Sequence, residues 1–389
     1  MSEWQEFQLD EVYTFASGLS KSRSEFGFGY PFLSFRDVFD NYFLPKELKS
    51  LANTTEKERK SCSIKRGDVF LTRTSETQEE LGMSSVALID MPNATFNGFT
   101  KRLRPNGKIP VLPEYAGFYF RSPRFRATVT SMASITTRAS LNNDMLSALK
   151  IAVPPIEAQR AIVDVLEPLH NKIDLLQRQN KTLEGLAQTL FRHWFVDGAE
   201  GDWNVGVIPD EFDFTMGLSP PGSSYNEVGD GMPMYQGNAD FGFRLPENRV
   251  YTTDPRRYAE QYDTLISVRA PVGAQNMAYE KCCIGRGVAA FRYRPDHRFY
   301  TYTYFKLWSL MDRIKQFDQE GTVFGSINKQ DFMDFKMTIP PNDLVFQFQE
   351  TAKPIDDKVI ANCREIRTLE KLRDILLPKL MSGEVRVRL

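Results

Sequence analysis

The strongest constraint on the fold of this chain is an internal repeat in its own sequence. A stretch that begins near residue 141 recurs 186 residues further on, and the offset holds without a gap for about 50 residues. The matching pairs include Leu141-Asn142 with Ile327-Asn328, Pro154-Pro155 with Pro340-Pro341, Pro168 with Pro354, and Thr182-Leu183-Glu184 with Thr368-Leu369-Glu370. A duplicated half indicates a pseudo-twofold molecule, which suits a target or a set of partners that also comes in two copies.

The composition is that of an ordinary globular protein with several domains. The chain has 389 residues, of which 41% are hydrophobic and 25% are charged, and this length allows roughly two to four domains. A net charge of -1 gives no signature of nucleic-acid binding for the molecule as a whole. Cations nevertheless cluster over residues 101–126 and 244–298, where they could contact phosphates or simply line solvated loops.

Cysteine usage and hydropathy predict a cytoplasmic protein. The four cysteines show no CxxC spacing, which favours a reducing compartment. The first six residues are polar and acidic, unlike a signal peptide. No apolar run reaches membrane-spanning length, so we expect no membrane partner.

Four segments alternate along the chain. Residues 1–152 and 199–338 are rich in short strand-like runs separated by turns, whereas residues 153–198 and 339–389 read as helices. The predicted fold class is α+β, with two mixed α/β globular domains joined by two long helices that form an antiparallel coiled coil with pseudo-twofold symmetry.

The two globular segments resemble each other only loosely. Gly67–Thr72 parallels Tyr262–Ser267, and Arg104-Pro105 parallels Arg294-Pro295, with an offset that slides between 190 and 202. The helices are therefore copied closely while the globular segments vary. This contrast predicts a fixed task for the helices and an adjustable task for the globular domains.

The helical segments carry apolar residues at alternating spacings of four and three, which is typical of the seam of a two-helix coiled coil. An antiparallel pairing in which facing residue numbers sum to 542 places Asn180 opposite Asn362 and Trp194 opposite Phe348. A lone buried Asn costs roughly 1–3 kcal/mol, whereas two facing Asn side chains satisfy each other, so this layer would fix the register of the helices. The alternative is that both Asn side chains point to solvent.

Each helical segment also contains a proline, Pro168 or Pro354. Because proline lacks a backbone donor, we expect each long helix to begin afresh at its proline, giving helices over about 168–196 and 354–381. An antiparallel pair with a globular domain at each end would separate the two domains by about one turn of B-DNA, roughly 34 Å.

Motifs for catalysis are missing from the sequence. The three histidines, His170, His193 and His297, have no carboxylate or cysteine at metal-ligand spacing. There is no glycine-rich nucleotide-binding motif, no nucleophile elbow, and no Asp or Asn before a Pro-Pro pair of the kind that an amino-methyltransferase uses. The sequence therefore predicts a binding protein that is not an enzyme.

Motifs in both helical segments and in the second globular segment are typical of one family. The carrying residues are Ile151–Arg160, Asn180–Glu184, Leu190–Phe195, Ser267–Gly273 and Leu376–Glu384. Over essentially its whole length the chain resembles the specificity subunit of type I DNA restriction–modification enzymes. The second copy departs from the pattern after its Pro-Pro pair, where Asn342-Asp343 replaces the usual Glu-Gln.

The resemblance implies a DNA-binding role within a larger complex. Residues 1–152 and 199–338 would be target recognition domains that each read one half of a split site in double-stranded DNA, and the helices would set the gap. Two methyltransferase subunits would dock on the helical regions, and endonuclease/translocase subunits would join them. S-adenosylmethionine, ATP and magnesium would belong to those partners. A competing hypothesis is a two-headed scaffold that binds proteins and not DNA.

Candidate base-reading residues follow from the chemistry of the DNA grooves. Arg matches guanine and Asn or Gln matches adenine, provided that the side chain stands on a loop or strand end that reaches a groove. The alternative for each candidate is a surface salt bridge or a turn-capping role. The candidates are Arg36, Arg73, Thr137 and Arg138 in the first domain, and Gln236, Asn238, Arg269 and Lys329 in the second.

Overall fold

The structure of the protein is a computed structural model, which describes residues 4–74, 80–133, 140–199, 203–316 and 325–387. The chain divides into two compact units. Unit 1 comprises Met1–Ile173 and Leu369–Leu389, and unit 2 comprises Asp174–Thr368. Both units mix helices and strands, which confirms the α+β class. Across the described residues, no helix combines the length and the apolar character needed to cross a membrane.

Unit 1 is built on an antiparallel four-stranded sheet with the order β2-β8-β5-β6. A second sheet has the order β4-β3-β7, and β1 pairs with β9. The core forms where Phe118 and Phe120 of α4 pack against Val69 and Leu103 of the larger sheet. The strands are β1 (Gln5–Gln8), β2 (Tyr13–Ser17), β3 (Phe26–Leu33), β4 (Leu51–Ala52), β5 (Val69–Thr72), β6 (Ser84–Val86), β7 (Thr95–Phe96), β8 (Thr100–Pro105) and β9 (Lys150–Val153). The helices are α1 (Leu9–Val12), α2 (Phe35–Asp40), α3 (Glu56–Ser61), α4 (Pro113–Arg121), α5 (Pro123–Ala133), α6 (Asn143–Ala148) and the long α7 (Ile156–Arg192), which continues into unit 2.

Unit 2 repeats this plan. Its four-stranded sheet has the order β11-β19-β16-β17, a five-stranded sheet has the order β12-β14-β13-β18-β15, and β10 pairs with β20. The strands are β10 (Asn204–Val207), β11 (Phe212–Met216), β12 (Tyr225–Asn226), β13 (Met232–Tyr235), β14 (Val250–Thr252), β15 (Tyr258–Ala259), β16 (Thr264–Ser267), β17 (Gln275–Met277), β18 (Cys282–Ile284), β19 (Val288–Tyr293) and β20 (Lys336–Ile339). The helices are α8 (Ile208–Glu211), α9 (Tyr300–Gln316), α10 (Lys329–Met333) and the long α11 (Asn342–Ser382), which ends in unit 1.

Strand register shows which residues of the two units are equivalent. Val69 of β5 faces Leu103 of β8, and Thr264 of β16 faces Phe291 of β19. The equivalent of Arg104 is therefore Arg292, so the sequence alignment of Arg104 with Arg294 is wrong by two residues. Arg104 and Arg292 each bind a buried aspartate just before the neighbouring strand, Asp68 and Asp263. An Arg-Pro pair recurring by coincidence near the end of the strand caused the error.

The repeated asparagines ahead of the short helices are helix caps. The side-chain oxygen of Asn142 accepts a hydrogen bond from the backbone N–H of Met145 at 2.8 Å, at the start of α6. The Asn328 oxygen accepts one from the backbone N–H of Gln330 at 2.7 Å, at the start of α10. Because a cap satisfies a backbone donor that the helix cannot, these residues hold the same local turn in both units.

The prediction that the long helices begin at their prolines is wrong. α7 runs through Pro168, and α11 runs through Pro354 from its start at Asn342. An interior proline removes one backbone hydrogen bond, at a cost of about 3 kcal/mol. Apolar residues at seam positions on both sides of each proline are buried, as for Leu166 and Ile173 around Pro168. This burial holds each helix together across its proline.

Within unit 2, the two long helices contact each other side by side. Asn362 donates from Nδ2 to Asn180 Oδ1 at 2.8 Å, and the rings of Trp194 and Phe348 lie 6.0 Å apart. Residue numbers rise along one helix as they fall along the other, so these segments run antiparallel. Both Asn side chains are almost fully buried. The effect of this layer on register stays a prediction.

A buried ion cluster attaches both helices to the mixed α/β part of unit 2. Arg244 is fully buried, binds Glu184 of α7, and lies 3.1 Å from an Oδ1 atom of Asp356 of α11. Its guanidinium also stacks 3.6 Å from the centroid of the Tyr304 ring, and Thr301 donates to Asp356 at 3.0 Å. One cation therefore compensates two recessed carboxylates on different helices.

Replacing one member of the Asn layer tests its energetic coupling. We expect Asn362→Leu to lower the free energy of unfolding by about 1–3 kcal/mol, because Asn180 loses its buried partner. The double variant with Asn180→Leu should lose less than the sum of the two single variants. Urea denaturation of all four proteins measures the cycle, and strictly additive losses would contradict the coupling.

Removing the buried cation Arg244 should lower the free energy of unfolding more than replacing Asn362 does. Arg244→Met leaves Glu184 and Asp356 without their cation, and we expect a loss of about 3–5 kcal/mol in the free energy of unfolding. The matched control is Arg256→Met, which removes a half-exposed partner of the half-exposed Asp254 and should cost less than about 1 kcal/mol. Equal losses in the two variants, measured by urea denaturation, would refute the role given to Arg244.

Candidate nucleic-acid interface

In unit 1, several strand ends meet at one edge of the four-stranded sheet. Ser17 at the end of β2 faces Lys101 at the start of β8. Arg73 follows β5, and its backbone N–H donates to the carbonyl of Phe99 at 2.7 Å. We call these four residues, Ser17, Arg73, Phe99 and Lys101, the unit 1 rim.

Two further segments border the unit 1 rim. The loop before α6 reaches it because the Leu141 N–H donates to the Arg73 carbonyl at 2.8 Å. The end of β3 reaches it because Leu33 accepts from the side chain of Asn97 at 3.0 Å, and this connection leads into α2. The rim thus gathers segments that are distant in sequence.

The candidates of the first domain differ in their surroundings. Arg36 on α2 is 89% exposed and pairs with Asp40 of the same helix at 3.0 Å, which matches the salt-bridge alternative. Arg73 is half-buried, and its Nε atom is buried without a hydrogen-bond partner. Thr137 and Arg138 lie outside the described residues.

The unit 1 rim combines recessed cations with an exposed ring. Lys101 is only 6% exposed and donates to Ser17 Oγ at 2.9 Å and to Asn143 Oδ1 at 2.8 Å. Burial lowers the pKa of Lys101, and the charge of Arg73 lowers it further. The Phe99 side chain is 65% exposed beside these cations. The rim therefore offers positive charge at its base and an apolar surface at its edge.

Unit 2 has the same backbone arrangement at the equivalent edge. The N–H of Val268 donates to the carbonyl of Gly287, and the N–H of Ile327 donates to the carbonyl of Val268, both at 2.9 Å. Arg269 then pairs with Ser326 in an isolated bridge. Val268 is thus the structural equivalent of Arg73, and the loop that starts at Ser326 leads to Lys329.

Glycine is required at position 287 because another segment approaches its backbone closely at this edge of unit 2. The carbonyl oxygen of Gln236 lies 2.1 Å from the position that a Cβ atom of Gly287 would occupy. Gln236 is exposed at this point, and Asn238 begins the 3₁₀ turn that follows. The close approach brings Gln236 to the turn that precedes β19, next to Arg286.

Exposed polar side chains distinguish this edge, which we call the unit 2 rim (Gln236, Arg269, Arg286 and Lys329). All four residues are exposed. The three cations make no side-chain salt bridge to any residue that the structure describes. Exposed Arg and Gln side chains are the types that hydrogen-bond to guanine and adenine edges, so this rim is chemically suited to base readout.

Sequence reasoning missed four rim residues, which are Ser17, Phe99, Lys101 and Arg286. Lys101 was visible only as part of a basic cluster, and its recessed position depends on the pairing of β2 with β8. Phe99 and Arg286 lie in the turns before β8 and β19. Arg286 stands between two glycines, which signals a tight turn but does not show that the turn lies at the rim.

Clusters of three or more His, Cys, Asp or Glu side chains suited to a metal ion are absent from the described ranges. His170 packs among the rings of Tyr42, Phe43 and Phe118 in unit 1. Its surroundings are those of a core side chain. The four cysteines are buried and form no disulfide.

Comparisons with known proteins agree with each other. The family model described as Type I restriction modification DNA specificity domain matches residues 1–185. The chain is 28% identical to the putative type I restriction enzyme MjaX specificity subunit of Methanocaldococcus jannaschii, with 99% of this chain and 94% of that protein covered. It is 23% identical to the type I restriction enzyme HindI specificity subunit of Haemophilus influenzae, with 99% and 100% covered.

A solved structure shows the same fold. The S subunit of a type I restriction–modification system from M. genitalium superposes with a TM-score of 0.62 at 14% identity, over 97% of this chain and 96% of that one. This likeness shows the fold, whereas the domain match and the full-length similarity rest on sequence. Residues 1–185 match the type I restriction modification DNA specificity domain, and the whole chain is similar to type I restriction enzyme specificity subunits.

Proposed function

We propose that this protein selects the DNA sequence for a type I restriction–modification complex, with the unit 1 rim reading one half of a bipartite site and the unit 2 rim reading the other. As a specificity subunit the chain is a non-catalytic component of such a complex. One observation supports the two-rim assignment best. The rims share a backbone arrangement, yet they carry different side chains.

Equivalent rim positions differ in charge and in size. Arg73 corresponds to Val268, and Lys101 corresponds to Ala289, by strand register and backbone hydrogen bonds. Lys329 of unit 2 stands 186 residues after Asn143, at the start of the equivalent short helix. A constant frame with variable side chains is what two readers of different base sequences require. The two half-sites should therefore differ in sequence.

The long helices would set the gap between half-sites and bind two methyltransferase subunits. Supporting this role, apolar side chains are exposed on both helices, where a helix usually presents polar groups. Leu186 of α7 is 47% exposed, and Leu372 of α11, its counterpart at the repeat offset of 186, is 43% exposed. Leu175 and Ile375 are exposed as well, at 52% and 58%. The equivalent exposed pair Leu186 and Leu372 suits two copies of one partner.

Catalysis would reside in the partner subunits. Methyltransferase subunits would use S-adenosylmethionine, and endonuclease/translocase subunits would use ATP and magnesium. A complex that cleaves and methylates DNA would act in the cytoplasm, in host defence. No comparison supports the competing hypothesis of a protein-binding scaffold.

Methylation mapping tests the proposal directly. Co-expression with its methyltransferase should produce methylated adenines in a bipartite motif with a fixed gap, measured by single-molecule sequencing of the host DNA. Arg269→Ala and Arg286→Ala should relax or change bases in one half only, because a lost bidentate contact costs about 1–3 kcal/mol at one base pair. The control is Arg256→Ala, which removes a surface pair with Asp254 and should leave the motif intact.

Two outcomes would contradict the proposal. A continuous motif without a gap would exclude readout by two separate units. Changes in both half-sites from a single unit 2 variant would exclude the assignment of one rim to one half-site.

The helix faces make a separate prediction. Leu186→Asp should weaken co-purification of the methyltransferase subunit at least about tenfold, because a charge would replace a buried apolar contact. Val228→Asp is the matched control, since Val228 is 88% exposed in the mixed α/β part of unit 2. Pull-down with quantified subunit ratios measures both variants. Undiminished binding by the Leu186 variant would remove this face from the interface.

A further inference from the structure

Two neighbouring cations at the unit 1 rim, Arg73 and Lys101, make no ion pair with any residue that the structure describes. Lys101 is recessed, and both of its hydrogen-bond acceptors, Ser17 and Asn143, are neutral. The Arg73 Nε atom is buried without an acceptor. Two like charges that are partly removed from water are costly unless an anion offsets them.

We propose that Arg73 and Lys101 form a binding site for a phosphate of the DNA backbone, which anchors unit 1 at its half-site. This inference rests on the proposed function and adds a division of labour to it. Unit 2 has no such site, because Val268 and Ala289 occupy the equivalent positions. Unit 1 would thus gain more of its affinity from contacts with the DNA backbone. Unit 2 would gain more from contacts that its exposed Arg and Lys side chains make.

The chemistry favours a phosphate over a base edge. A guanine edge is neutral overall, so it accepts hydrogen bonds without offsetting the repulsion between two cations. A phosphate carries a full negative charge and accepts from both side chains at once. Burial and the charge of Arg73 lower the pKa of Lys101. A bound anion would oppose this lowering and would offset the repulsion between the two cations.

The geometry of the unit 1 rim also favours a contact with the DNA backbone. Lys101 uses two of its three ammonium donors on Ser17 and Asn143, so its head is held in place with one donor left for a ligand. The Nε atom of Arg73 is buried, so its Nη groups remain to donate to a ligand. Phe99 is 65% exposed at the same rim, so it would be available to the groove while the cations hold the strand.

The salt dependence of DNA affinity distinguishes a phosphate contact from a base contact. The complex with methyltransferase subunits is titrated by fluorescence anisotropy at several salt concentrations, using a duplex with the wild-type methylation motif and one with its first half-site scrambled. Lys101→Met and Arg73→Gln should each reduce the slope of log affinity against log salt by about 0.9, the value for one phosphate contact. Both should weaken the two duplexes by the same factor and leave the methylated motif unchanged.

Matched variants separate charge from structure. Lys101→Arg keeps the charge and should keep the slope. Lys60→Met removes a cation that is 77% exposed in its side chain and paired with Glu56, and it should change neither slope nor motif. Arg73→Gln serves as the second test if Lys101→Met lowers stability, because the Arg73 side chain donates no hydrogen bond within the described residues.

Three results would overturn the inference. A wild-type slope in both Lys101→Met and Arg73→Gln would mean that neither cation meets a phosphate. Relaxation of the motif at one base would make the contact a base contact. In both cases a bipartite wild-type motif would leave the proposed function standing, whereas a wild-type complex without such a motif would remove the proposed function and this inference together.

Discussion

Main-chain hydrogen bonds at the ends of β5 and β16 are the constraint on which the functional surface depends. In each unit, the residue after the strand donates to the turn before the neighbouring strand and accepts from the loop before a short helix. These bonds involve no side chain, so they persist whether the residue is Arg73 or Val268. The frame therefore places side chains from four segments together without dictating what those side chains are. This separation lets one fold serve two different half-sites.

The helices depend on a different kind of interaction, which does involve specific side chains. In unit 2, Arg244 binds a carboxylate from each long helix inside a region that excludes water. Such a cluster adds little net stability compared with apolar packing, but breaking it is costly and it tolerates few alternative arrangements. Together with the Asn180–Asn362 contact, it would give the helices a defined orientation within unit 2. A subunit proposed to set a fixed gap in DNA requires such definition.

The two rims offset the cost of their charges in different ways. The cations of the unit 2 rim remain in water, where an unpaired charge costs little and a side chain is free to reach a base. The cations of the unit 1 rim are recessed, so a bound anion would stabilise them further. Binding energy at the unit 1 rim thus comes partly from relieving a repulsion that the unbound protein contains. The low net charge of the chain is compatible with this arrangement, because the positive charge is local.

The sequence by itself determined the duplication, the α+β class, the family and the facing pair Asn180 and Asn362, because an ungapped offset and a heptad pattern are properties of residue order. It predicted helix starts at Pro168 and Pro354 wrongly, since burial on both sides of each proline outweighs the local preference. It predicted Arg73, Gln236, Arg269 and Lys329 as candidates from their residue type and from the strand-like or turn-like runs beside them. Only the tertiary structure decided which of them share a rim, added Lys101, Phe99 and Arg286, and revealed Arg244 as the centre of a buried cluster. Those relations depend on strand register and on burial, and neither can be read from the order of residues along the chain.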